Sequence, residues 1–338
     1  MVEHYFGKPI DAAKLKEPLL ANLGEQAKTY QAQVEDLLKR YKLQRVNCFL
    51  CGSDDTSRVE FTVNGISYVR CPVCDLVHVS HKLPDEALYE YYKKGANYAE
   101  AYANSQYIYR LDHVARPKVK FIDKYVTANK KGKKLWLDVG SGIGDMLVAS
   151  QDLGYTAIGL EISEDSINFG RDRLGCDLRN QTLEQFAESR PSDKFSAVSF
   201  MGYLDLVSNP MEELARAAKL LRPGGVVGVS VPHFNSFSRA VQQTFPKQST
   251  RGFFLINALM QYTEKAILYA FKNNGFEPVA FWWFGLDAME LINNLTLACP
   301  GFRGSPMAKM LWENCNDIQQ VFDNKKACDN MLAVARKV

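Results

Sequence analysis

Several familiar features are missing from this chain of 338 residues. It has no run of about 18 apolar residues, so no membrane-spanning helix is expected. The longest apolar stretch, around 279–286, is the length of a strand. No internal repeat and no low-complexity tract occurs, which argues against solenoids, propellers and arrays. The first residues, Met1-Val-Glu-His-Tyr-Phe-Gly-Lys, lack the basic-then-apolar order of a secretory leader, so a cytoplasmic location is expected. A charge excess is missing too: 41 Lys and Arg stand against 38 Asp and Glu, a net +3. Proteins that live on phosphate backbones usually carry a stronger basic bias, so composition gives nucleic acid no support.

What remains is ordinary globular material. Hydrophobic residues make up 46% and charged residues 23%, which excludes a largely disordered, collagen-like or coiled-coil chain. The length suggests about two domains and a sizeable core. Residues 11–42 carry Leu15, Leu19, Leu23, Ala27, Tyr30, Val34, Leu37 and Tyr41 at three- and four-residue steps, the pattern of an amphipathic helix. Such a helix packs on the body of the protein or pairs two copies. A second helical region, 85–128, is rich in tyrosine: Tyr89, Tyr91, Tyr92, Tyr98, Tyr102, Tyr107 and Tyr109.

From Lys134 onward strands and helices alternate. Strands are expected near 134–139, 156–161, 177–180, 195–200, 225–231, 278–284 and 331–336. Alternation of this kind predicts an α/β fold, a mainly parallel seven-stranded sheet with helices on both faces. Extra helices are expected over 286–326. Three segments follow: a helical one over 1–44, a small ribbon over 45–84, and the α/β domain over 85–338.

The eight cysteines are unevenly used. Cys48-Phe-Leu-Cys51 and Cys71-Pro-Val-Cys74 are two C-x-x-C pairs with nineteen residues between them. In a reducing compartment this spacing points to a tetrahedral four-thiolate zinc site. Four thiolates leave no open position, so the metal would be structural. A redox pair or unligated thiols are the alternatives. Cys176, Cys299, Cys315 and Cys328 have no partner spacing and read as single thiols. Zinc ribbons often accompany nucleic acid, yet residues 41–100 hold seven Lys and Arg against eight Asp and Glu. A slightly acidic module is a poor phosphate binder.

Leu135-Trp-Leu-Asp138-Val-Gly140-Ser141-Gly142-Ile-Gly144-Asp145 reads as a strand, a glycine loop and a helix start. The dinucleotide fingerprint is G-x-G-x-x-G; here the third glycine comes one residue early. At the end of the next strand, Glu161 can accept hydrogen bonds from two ribose hydroxyls. This arrangement resembles the first motif of class I S-adenosylmethionine (SAM) methyltransferases. Lys219-Leu-Leu-Arg-Pro-Gly-Gly225 before Val226–Val231, and Asn274-Gly275-Phe276 before the sixth strand, fit that family. A Rossmann-like fold with NAD or no ligand is the alternative. Cys71-Pro-Val-Cys74-Asp-Leu-Val-His with Pro84 and Tyr91-Tyr92 is similar to bacterial methyltransferases with an N-terminal zinc ribbon, many of them acting in polysaccharide, deoxysugar or secondary-metabolite synthesis. The likeness covers about 46–338.

The resemblance implies that Asp138, Gly140, Ser141, Gly142 and Gly144 line SAM and that Glu161 holds its ribose. It places Thr182 and Leu183 beside the adenine, and Met201, Gly202 and Tyr203 near the methyl group. It implies methyl transfer to a small molecule, most of all a sugar in nucleotide-linked or glycan form. An RNA methyltransferase and a non-catalytic SAM-binding partner of another enzyme are the rivals, and a homodimer is compatible with the N-terminal helix. The sequence departs from the family in one respect. Many relatives read Leu-Glu-His-Leu after strand four, where this chain has Leu204-Asp205-Leu206-Val207. A second family histidine is also missing, within 257–263. Either another residue is the base, or alignment supplies most of the rate, or the protein binds without catalysing. His233, Asp205 and Tyr203 are the replacement candidates, each with a structural alternative: His233 as a hydrogen-bonder, Asp205 as a helix cap, Tyr203 as packing. The acceptor is expected over the carboxyl edge of the sheet, under 85–115 and 233–262.

Overall fold

The computed structural model describes residues 2–8, 23–63, 65–93, 107–127, 133–190, 194–245 and 258–338, with the backbone alone for 23–31. The start of the expected N-terminal helix, Tyr98, Tyr102, and the 94–106 and 246–257 parts of the expected acceptor cover lie outside the described residues.

The chain opens with strand β1 (Glu3–Phe6) and helix α1 (Leu23–Arg40). A ribbon follows: β2 (Gln44–Arg45), β3 (Val59–Val63), β4 (Ile66–Arg70), β5 (Val77–Val79) and β6 (His81–Lys82). Helix α2 (Asp85–Lys93) leads to helix α3 over 107–123. The middle turn of α3, Leu111–Ala115, is π-helical between the α-helical segments Tyr107–Arg110 and Arg116–Asp123.

Strict alternation then begins: β7 (Leu135–Val139), α4 (Asp145–Gln151), β8 (Thr156–Glu161), α5 (Glu164–Leu174), β9 (Leu178–Asn180), α6 (Leu183–Ser189), β10 (Phe195–Met201), α7 (Pro210–Leu220) and β11 (Leu221–Pro232). Helix starts follow local chemistry. The Ser163 hydroxyl accepts the Ser166 N–H, and Thr182 with Gln185 forms a reciprocal capping box. The last third comprises α8 (Phe237–Thr244), β12 (Met260–Gln261), α9 (Glu264–Lys272), β13 (Phe276–Phe284), α10 (Asp287–Ala298), α11 (Pro306–Glu313), α12 (Cys315–Asn324) and β14 (Asn330–Lys337). The expected helices after residue 286 are α10 to α12.

The main sheet has eight strands in the order β1-β13-β14-β11-β10-β7-β8-β9. Seven are those expected from the sequence. The eighth, β1, runs parallel to β13 with Glu3 opposite Ala280 and Phe6 opposite Trp283. β14 is antiparallel to both its neighbours, and β7 to β11 are parallel. The parallel strands read as nearly continuous apolar runs because helices cover both faces: β10 is buried from Phe195 through Phe200.

The ribbon does not stand apart. Its sheet has the order β12-β5-β4-β3, so one strand comes from the α/β domain. Leu76, Val77 and Val79 belong to the same apolar cluster as Phe200, Leu204 and Val231. The ring of Phe234 stacks on Phe61 of the ribbon, centroids 6.1 Å apart. Among the described residues no helix is long and apolar enough to cross a membrane.

Candidate functional site

The carboxyl ends of β7, β8 and β10 meet at one mouth, the place where open parallel sheets bind ligands. Residues 140–144 turn sharply from β7 into α4. Gly142 has φ +54°, and a Cβ there would point into open space. Only glycine adopts this turn cheaply while leaving the backbone open to close approach. Behind it stands Glu161 at the end of β8. One carboxylate oxygen accepts the Gly142 N–H at 2.8 Å. The other accepts the N–H groups of Ile162 and Ser163 at 2.7 and 2.9 Å. The carboxylate is thus aimed by three backbone donors and keeps lone pairs for a ligand.

The mouth opens into a cavity of about 720 Å³. Of the residues expected to hold SAM, Asp138, Gly140, Ser141, Gly142, Glu161, Thr182, Leu183, Met201 and Gly202 line it. The Ser141 hydroxyl is buried beneath the loop beside Asp138 and Gly159. Asp138 is buried beneath the loop and takes a hydrogen bond from Ser199. Burial pushes its pKa up to about 7, against the pull of Ser199.

Gly144 does not line the cavity. It precedes α4 with φ +92°, and a Cβ there would lie 2.9 Å from the Cys176 sulfur. Its smallness serves packing of the loop against the end of α5.

The three candidate bases separate. Tyr203 lines the cavity, its ring against Gly140, and its hydroxyl donates to Glu213 at 3.2 Å. Burial and then the Glu213 charge hold the phenol well above its usual pKa, so it is a donor. Asp205 is not among the residues lining the cavity, and one of its carboxylate oxygens is buried and unpaired. Burial raises its pKa to about 7. His233 is also absent from the cavity lining. The last residues of β11 turn it inward, with Nδ1 3.0 Å from the Cys328 carbonyl and its ring edge-on to Trp283 at 5.1 Å. Burial lowers its pKa to about 4. It is a structural histidine outside the cavity wall. Leu206, which stands where relatives carry histidine, does line the cavity.

Sequence reasoning missed Lys118. It lies on α3 just beyond the π-helical turn, and such turns often mark functional positions. Its ammonium reaches the cavity 3.4 Å from the Ser230 hydroxyl and 5.6 Å from the Phe284 ring. Burial lowers its pKa to about 8, opposed by Asp145. A lysine among many in an amphipathic helix carries no local signature. Glu213 and Arg216 on α7 were also missed; Arg216 is shared among Glu184, Glu212 and Glu213.

The cysteines form a second centre. The sulfur atoms of Cys48, Cys51, Cys71 and Cys74 all lie within 4.8 Å of one another. Two edges of the cluster, Cys48–Cys74 and Cys51–Cys71, measure 3.3 and 3.4 Å. Metal–sulfur bonds of about 2.3 Å in a tetrahedron put sulfurs about 3.8 Å apart, so the donor set fits after a small expansion. The hydrogen bond from Cys74 pulls the Cys48 thiol down to about 3, and the same contact pushes Cys74 far upward. Four such thiols cannot all ionise without a cation between them.

A parallel sheet with a glycine loop, an anchored acid on the next strand and a cavity over the carboxyl edge defines the Rossmann-like class. The family model described as a methyltransferase domain matches residues 107–280, just over half of the chain, and the chain belongs to that family. It is similar to the ubiquinone biosynthesis O-methyltransferase of Thiobacillus denitrificans: 33% identical over 112 residues, 32% of this chain and 47% of that protein. The enzyme of the same name from Cereibacter sphaeroides is 28% identical over 208 residues, 56% of this chain and 83% of that protein. The chain spans about half the length of the first curated relatives it matches. Among solved structures, a SAM-dependent methyltransferase from Archaeoglobus fulgidus aligns over 71% of this chain and 98% of its own, with TM-score 0.46 and 16% identity.

Proposed function

We propose that this protein transfers a methyl group from SAM to a small-molecule acceptor, a sugar in nucleotide-linked or glycan form, and that its cysteine cluster holds a structural zinc. The observation that carries the reading is the Glu161 carboxylate, pinned by the glycine loop and facing a cavity whose Gly142 edge is open. SAM supplies an electrophilic methyl on a sulfonium; an acceptor oxygen, nitrogen or carbon takes it in line and S-adenosylhomocysteine (SAH) leaves.

The chain's own residues have separable tasks. Glu161 accepts the ribose hydroxyls, Thr182 and Leu183 flank the base, and the backbone of 140–142 borders the amino-acid portion. The Lys118 ammonium provides a positive charge for the donor's carboxylate at the inner end of the cavity. Met201 and Gly202 sit at the reacting end. The acceptor lies under α2, where Tyr89, Tyr91 and Tyr92 face the cavity beside Asp85, Ser208 and Asn209. Aromatic faces with short hydrogen-bonding side chains suit a sugar, which presents C–H faces and hydroxyl rims. Zinc, when bound, cross-links the two cysteine loops and does no chemistry on the acceptor.

A second reading has one observation in its favour. No histidine is among the described residues that line the cavity. A non-catalytic SAM-binding partner of another enzyme would need none. RNA is a weaker reading, because residues 41–100 have no basic excess, with seven Lys and Arg against eight Asp and Glu.

A methyl-partition assay decides. The zinc-loaded protein is incubated with methyl-labelled SAM and a cell extract split into small molecules, RNA and envelope glycan, with a Gly142→Asp variant as control. Label in small molecules or glycan, absent with the variant, supports the proposal. Label in RNA overturns the acceptor class. SAM binding without label in any fraction favours the partner reading.

A further inference from the structure

The loop between β10 and α7, residues 202–209, forms one wall of the cavity. Gly202, Tyr203, Leu206, Val207, Ser208 and Asn209 all line it. Asn209 makes no side-chain cap to α7, and Pro210 with the Asn209 carbonyl fixes only the helix start. Something else must fix the loop's shape, and the hydrogen bonds identify it. Residues 258–263 run as a strap between this loop and the cysteine ribbon.

On one side the strap belongs to the ribbon. Met260 pairs with His78 and Gln261 with Val77. The Val79 N–H donates to the Leu259 carbonyl at 3.0 Å, and the Tyr68 hydroxyl to the Ala258 carbonyl at 2.9 Å. The Thr263 hydroxyl donates to the carbonyl of Asp75, the residue after the last cysteine, at 3.1 Å. On the other side the strap holds the loop. The N–H groups of Leu259 and Met260 both donate to the Asp205 carbonyl, at 3.1 and 3.2 Å. The Tyr262 hydroxyl donates to the Leu204 carbonyl at 3.3 Å.

The far end of the loop is clamped by the ribbon too. Buried Lys82, in its last strand, holds the Asp85 carboxylate at 2.5 Å, and the Ser208 hydroxyl donates to the same oxygen. The ribbon therefore grips both ends of the cavity loop, at 204–205 through the strap and at 208 through Lys82 and Asp85.

We propose that the four-cysteine centre is a positioning device for the methyl-donor cavity: the ribbon holds the 202–209 loop in its binding shape, and loss of the metal releases it. The proposal rests on the reading of 140–161 and 202–209 as a donor site. A merely appended ribbon, with its own fold and its own partner, would show neither clamp.

Hydrogen exchange and SAH binding test it on the full chain. Metal is removed with a chelator under reducing conditions, and exchange is followed by mass spectrometry beside calorimetric titration with SAH. Exchange is expected to rise at least tenfold in 48–82, in 258–263 and in 202–209, while 135–139 and 276–284 stay protected. The SAH dissociation constant is expected to rise about tenfold. A second pair of variants leaves all four cysteines in place. Lys82→Met should raise exchange at 206–209, and Tyr262→Phe at 203–205, with metal content unchanged. Exchange that stops at residue 82 with SAH affinity intact overturns the proposal, as does a loop unmoved by either variant. Where chelation unfolds the whole chain, the two variants decide. Failure of the metal-loaded protein to bind SAH overturns the methyltransferase reading alone, and the exchange data still decide the role of the ribbon.

Discussion

Two kinds of loop build the candidate ligand sites in this chain, and they work by opposite means. The cysteine loops offer side chains: four sulfurs converge within 4.8 Å, and the backbone only brings them together. The glycine loop offers backbone: side chains are withdrawn at 140 and 142, and the Glu161 carboxylate is held by the Gly142 N–H of that loop and by the N–H groups of Ile162 and Ser163. Side-chain ligation tolerates shifts of the main chain but not loss of a ligand atom. Backbone cradling tolerates changes nearby but not an added Cβ. The difference tells which substitution is fatal at each site.

The largest contrast is between removing a sulfur and adding a side chain. Cys74→Ser is expected to drop bound zinc from one per chain to nearly none, by metal analysis, and to lower the melting temperature by several degrees. Gly142→Asp is expected to leave zinc in place and weaken SAH binding at least a hundredfold, about 2.8 kcal/mol at 1.4 per tenfold. It adds a carboxylate beside Glu161 at φ +54°. If both variants lost both ligands, the two sites would be one cooperative unit.

Charge sharpens the comparison further. Lys118→Met is expected to weaken SAH binding about tenfold in calorimetry. In the wild-type protein the free lysine titrates near 8, and its cation is lost as pH rises through that value. Affinity should therefore fall on going from pH 7 to 9, and stay flatter in Lys118→Arg, whose guanidinium remains charged.

The smallest effect separates packing from binding within the glycine loop itself. Gly144→Ala puts a Cβ 2.9 Å from the Cys176 sulfur at φ +92°. A stability loss of at least about 1–2 kcal/mol in denaturant titration is expected from the backbone term alone. SAH affinity of the folded fraction should change less than threefold, because this glycine is outside the cavity wall.

These two sites were both legible beforehand, unlike some of the elements that support them. The cysteine pairs and the loop 138–145 are local patterns, fixed by spacing along a few residues. The seven expected strands showed because parallel strands are continuously apolar. β12 has two residues and β1 has four, including His4, so neither carries a period long enough to detect. His233 stayed open between a base and a structural hydrogen-bonder, because position at a strand's end says nothing of which way the ring turns; the Cys328 carbonyl, far along the chain, decides that. Lys118 escaped because a π-helical turn resets which face of α3 meets the cavity, and that turn has no composition of its own.

The placement of β1 carries a consequence for synthesis. On the ribosome, residues 3–6 emerge long before residues 276–284, the strand they pair with. At roughly 5–20 residues per second, that wait is roughly 15–55 s. Meanwhile β1 has no native partner and only foreign edges to pair with. Once made, β13 displays Phe281, Trp282 and Trp283 along an open rim until His4 stacks on Phe281 and the Trp282 indole finds the Gly7 carbonyl. Chains truncated before residue 8 should finish synthesis with that rim bare, and collect as aggregates through edge-to-edge pairing.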